Sequence, residues 1–157
     1  RMTDIYLSVS LEAKHDFDTD AVTRRLGVEP TQIRKLGTPM HPGHDALYKY
    51  SSWEWDTGHI SADDAGELIA QAAAMFQSRA TVMRELADEY GGKWAIVLDG
   101  YIHSGDAPTV LLPPDFVEFC AAIGAIFQYV IDISYDYTSK GGADRGTAED
   151  RPDTHRG

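Results

Sequence analysis

Sulfur chemistry is almost absent from this 157-residue chain. Its one cysteine, Cys120, excludes an intramolecular disulfide and a multi-cysteine zinc site. Positive charge is also scarce: 14 Lys and Arg stand against 25 Asp and Glu, a net charge of −11 at pH 7. A nucleic-acid partner is not expected, because binding a phosphate backbone needs clustered basic side chains. No apolar run approaches the roughly 20 residues that span a bilayer, and no secretory signal opens the chain. A cytoplasmic protein without membrane contact is therefore expected. The nucleophile elbow Gly-x-Ser-x-Gly is missing. The Gly91-Gly92 pair follows a helical pattern rather than opening one, the wrong polarity for cradling an anion.

What is present suits one folded domain: 43% hydrophobic, 25% charged and 10% aromatic residues. The segment 139–157 holds no large apolar residue, so it cannot offset its own ordering entropy and reads as a disordered tail. Four bases (Lys140, Arg145, Arg151, Arg156) balance four acids (Asp144, Glu149, Asp150, Asp153) there. All of the −11 thus falls on a single domain over 1–138.

Within that domain Ile5, Leu7, Val9 and Leu11 alternate with Tyr6, Ser8, Ser10 and Glu12, the period of a strand with one buried face. Asp18 caps a short helix carrying Val22 and Leu26, stopped by Gly27. Short strands are expected at Ile33–Leu36 and Leu47–Asp56, around a turn-rich loop over 37–45. From Ser61, which is expected to cap a long helix, to Tyr90 apolar residues recur at helical spacing, and the length of the stripe makes a break expected near Gln77-Ser78. Trp94–Ile102 reads as a strand, Pro113–Ile123 as a helix stopped by Gly124, and Phe127–Asp136 as the last strand. The Asp-x3-apolar-x3-apolar-Gly spacing occurs twice, at Asp18–Gly27 and Asp115–Gly124. Two βα units joined by a long helix follow from this order. The expected fold is an α+β two-layer sandwich of the ferredoxin-like kind, with a mostly antiparallel sheet and its helices on one face.

With these elements assigned, the chain resembles the bacterial domain of unknown function 4279 family (DUF4279). The resemblance rests on the opening strand and on Phe17-Asp-x-Asp-x-Val-Thr-x-x-Leu-Gly-Val-Glu-Pro30. It also rests on Arg34-Lys-x-x-Gly-Thr38, on Trp53 closing a strand, and on Ile131-Asp132-Ile133. It covers most of residues 4–137 and implies no catalytic residue. Some acidic bacterial domains of similar size and context resemble toxin-neutralising immunity proteins.

The candidate chemistry is thin. His41-Pro-Gly-His44 with Asp45 offers two imidazoles and a carboxylate, but a structural zinc site wants four ligands, so a plain loop is expected. Neither metal nor cofactor is expected. Cys120 lies in an apolar helix stretch and reads as a buried hydrophobe. Asp99 and His103 share one strand face roughly 13 Å apart, too far for a direct acid–base pair.

The sheet face turned away from the helices says more. It should carry Tyr6, Asp99, Tyr101, His103 and Asp132, with Glu54, Tyr48 and Tyr50 beside them. Tyrosines among acids suit a partner bearing cationic groups. These five residues are the expected partner-binding set. The reading is a binding module of immunity or regulatory type that recognises a basic protein, and it leans away from an enzyme. The alternatives are a small enzyme with an acid and histidine cleft near His41, His44, Asp99 and His103, and a structural homodimer.

Overall fold

The computed structural model describes residues 2–133. The expected tail, together with Ser134, Tyr135 and Asp136 of the expected last strand, lies outside the described residues. The alternation at the start of the chain becomes the central strand β1, Met2–Ala13, whose Ile5, Leu7, Val9 and Leu11 are fully buried. Helix α1, Thr19–Leu26, begins where Asp18 accepts the Ala21 N–H at 3.0 Å. It ends at Gly27, in the left-handed region at φ 67°.

Strand β2, Gln32–Arg34, and strand β3, Ser51–Asp56, form a narrow antiparallel pair. Both are shorter than the alternation suggested. Residues 47–50 are not strand; Leu47 instead makes an isolated bridge to Pro39 across the turn-rich loop. Next comes β4, Ile60–Ser61, on the same edge of β1 that pairs with β3. Ser61 therefore ends a strand rather than capping the long helix. That helix starts at Gly66, after the Ala65 N–H has been taken by the Thr109 carbonyl at 2.9 Å.

The long helical segment is α2, Gly66–Phe76, a 3-10 turn at Gln77–Arg79, and α3, Ala80–Tyr90, with the break where it was expected. Strand β5, Lys93–Ser104, pairs with β1 along nearly its whole length. Helix α4, Pro114–Ala122, leads to β6, Ile126–Ile133. The fold is α+β. Its six-stranded sheet runs β2-β3-β1-β5-β6, with β4 on β1.

The sheet is mixed. Pairings among β1 to β5 are antiparallel, but β5 and β6 are parallel. Both helix-stop repeats join parallel strands. Helix α1 carries the chain from β1 to β2, which run the same way because both are antiparallel to β3 lying between them, whereas α4 carries it from β5 to its immediate parallel neighbour β6.

The core lies between the sheet and the helices. Trp53 is wholly buried, meets Trp94 edge to face at 6.1 Å, and donates its indole N–H to the Thr23 hydroxyl of α1 at 3.0 Å. Trp94 donates to the Met83 carbonyl of α3 at 2.7 Å. Satisfied indole donors let two large aromatics bury at no polar cost. Leu26, Phe119 and Ile123 complete the same cluster. On β6, Ile131 and Ile133 have the parity of the helix face, but β6 is the sheet edge, so they stay 39% and 56% exposed.

Candidate functional site

The open face of the sheet is built by the other parity. In the middle of β1 it carries two serines, Ser8 and Ser10, whose short side chains form a nearly buried floor. Taller residues rise around them. In register, Asp56 and Glu54 of β3 flank the serines on one side; on the other, Val97 of β5 lies level with Ser8, and Asp99 stands two residues on, level with Tyr6. The result is a concavity of about 340 Å³ with Tyr6, Glu12, Glu54, Asp56 and Asp99 in its walls and Arg34 reaching in from β2.

Each wall residue has a local reason for its place. Arg34 donates to Glu54 Oε1 at 3.2 Å, to Ser52 Oγ at 3.3 Å and to Gln32 Oε1 at 2.8 Å. Burial works against the guanidinium charge, but the charge and hydrogen bond of Glu54, together with Tyr50 and Tyr48, hold the Arg34 pKa above its ordinary value. Asp56 accepts the Gly58 N–H at 2.8 Å and the Thr31 hydroxyl at 3.0 Å. Tyr6 pairs in register with Asp99. Burial, then the charge and hydrogen bond of Asp99, push its phenol pKa up to about 12. Glu54 and Asp56 add to that field.

His59 is a site residue that sequence reasoning missed. Between β3 and β4 the chain leaves the β1 ladder for three residues. The Leu7 N–H donates to the Thr57 hydroxyl at 3.0 Å, and Gly58 takes φ 73°. This local bulge sets the His59 ring 4.5 Å from the Tyr6 ring. Gly58 alone signalled a turn, and nothing in the sequence tied that turn to Tyr6.

The expected partner-binding set is split by the structure. Tyr6 and Asp99 meet in the concavity. Tyr101 and His103 stack on each other at 6.4 Å beyond it, with His103 Nε2 3.5 Å from Asp4. Asp132 is level with Tyr101 on β6 and exposed. The histidines of the expected enzyme cleft do not converge. His41 and His44 face each other at 5.8 Å on their own loop, while His103 belongs to the Asp4 end of the sheet. Among the described residues no group of three or more His, Cys, Asp or Glu side chains is placed to hold a metal ion. Cys120 is buried, and burial pushes its thiol pKa up.

Nor is the face uniformly acidic. Asp4, Asp56, Asp99 and Asp132 lie toward the Tyr6 end. Arg34 and Lys93 lie level with Glu12 at the opposite end, beside Lys14 and Lys49. The −11 charge described the body's total and could not show this separation.

The sheet order, the indole-capped core and the concave face all lie within the stretch matched by one family model, the domain of unknown function DUF4279, over residues 3–134. The chain belongs to the DUF4279 family. No curated protein and no solved structure matches it. Among the described residues of this DUF4279 domain, no helix is long and apolar enough to cross a membrane.

Proposed function

We propose that this DUF4279 domain is a binding module of immunity or regulatory type, and that the Tyr6 end of its open sheet face receives a cationic side chain of a basic protein partner. One observation carries the reading. The concavity over Ser8 and Ser10 has four carboxylates in its walls against one guanidinium, and Arg34 is already engaged by Glu54. Asp99 and Asp56 are left facing the opening with acceptor capacity for a lysine or arginine. Tyr6 and Tyr101 supply rigid contact area beside them.

Steering by the acidic end would raise the association rate and make it depend on salt. Further support for the ferredoxin-like reading of the sandwich comes from β3 and β5, which flank β1 and are joined by the long helical segment.

The test is capture from the native cell extract with the wild-type chain and with an Asp56→Asn/Asp99→Asn variant as parallel baits. A basic protein held only by the wild type, with association slowing as salt rises, supports the reading. An acidic partner, or an association rate indifferent to salt, overturns it.

A further inference from the structure

At the other end of the same face lies a larger concavity, about 840 Å³, between the end of β1, the residues before β3, and the starts of β5 and β6. Its walls hold Lys14, Lys49 and Lys93, three of the five lysines in a chain of net charge −11; the others are Lys35 and Lys140. Lys35 reaches Asp16 at 3.7 Å. Among the described residues, Lys14, Lys49 and Lys93 have no carboxylate at ion-pair distance. Among the described residues Glu12 is the single acid in these walls, level with Lys93.

The rest of the lining is apolar or aromatic. Tyr50 and Ile126 form the sides; Ile126 is 57% exposed and level with Ala95. His15 closes one end and donates its Nε2–H to the Tyr90 carbonyl. That bond fixes the ring at the left-handed cap of α3, where Gly91 leaves it room.

Lys14, Lys49 and Lys93 are exposed around this apolar hollow and gather positive potential at one end of an otherwise acidic body, a combination complementary to an anion with an apolar body. The volume lies in the range of small-molecule sites. We infer that this concavity binds a small organic anion, an oxyanion head held by Lys14, Lys49 and Lys93 with its apolar body against Tyr50 and Ile126. Lysines act as point charges, so the site selects charge and amphipathic shape rather than one head-group geometry.

The site is independent of the proposed cation site, with which it shares only Glu12. The probe pair is 8-anilinonaphthalene-1-sulfonate and its uncharged counterpart N-phenyl-1-naphthylamine, which share the same apolar body. The sulfonate should bind the native full chain one to one, at least tenfold more tightly than the neutral compound, and should weaken as salt rises.

Lys14→Gln/Lys49→Gln/Lys93→Gln should lose at least tenfold in sulfonate affinity with an unchanged melting temperature. Ile126→Asp, which leaves all three lysines in place, should lose a similar amount. Asp99→Asn, which disables the cation reading, should leave sulfonate binding unaltered. Equal binding of the neutral compound, or full retention by the triple variant, overturns the inference. So does capture of the chain by phosphatidylserine vesicles with no binding of the free sulfonate.

Discussion

Tyr6 and Asp99 face each other across the β1–β5 ladder, and burial together with the neighbouring Asp99 carboxylate pushes the phenol pKa up to about 12. Burial is the first cause and Asp99 the second. A tyrosine whose folded pKa lies above the unfolded value of about 10 adds stability that is complete below pH 10. That stability is lost as pH rises from about 10 to about 12, because the unfolded chain releases a proton that the folded one keeps. Absorbance titration of the folded chain should show a tyrosine ionising near pH 12, and this component should vanish in Tyr6→Phe. Asp99→Asn should bring it earlier. A Tyr6→Phe curve superimposed on wild type would refute the contact.

The Arg34–Glu54 pair is only 19% and 15% exposed, so neither charge is well hydrated if left alone. Arg34→Met should cost about 1–3 kcal/mol in denaturant unfolding, the scale of an unpaired, largely buried charged group. Adding Glu54→Gln should return much of that loss. Strictly additive losses in the double variant would show that the two side chains act independently.

Thr3 is 2% exposed, and its hydroxyl has no hydrogen-bond partner among the described residues. Valine keeps the shape and the β-branch while removing the unpaired group. Thr3→Val should therefore raise stability by about 1 kcal/mol. A clear loss in thermal unfolding would mean the hydroxyl is satisfied in solution.

Phe119 holds α4 to the core at 3% exposure and lies 5.9 Å from Phe116. Phe119→Ala should cost about 3–5 kcal/mol, from lost burial and the cavity left behind. A change below about 1 kcal/mol would mean that α4 does not pack where it is placed.

Local chemistry alone determined most of the elements. The two-residue period of Ile5 to Leu11 marked the central strand, Asp18 and Gly27 bounded α1, and the break near Gln77 followed from the unusual length of the helical stripe. Period and capping depend on neighbours within a few positions, so one chain suffices to read them.

What the sequence could not supply were relationships set by long-range pairing. Nothing local says that β6 runs parallel to β5, or that it is an edge leaving Ile131 and Ile133 exposed. Nothing local says that Ser61 belongs to a strand on β1 or that His59 meets Tyr6. Alternation placed Tyr6 and Asp99 on one face, but only the register made them partners and left Tyr101, His103 and Asp132 outside the concavity. Composition summed the charge to −11, while the fold separated it along β1, with Asp56 and Asp99 toward one end and Lys14, Lys49 and Lys93 at the other. A sheet brings together residues tens of positions apart, and the register deciding which ones meet is a property of the packed whole.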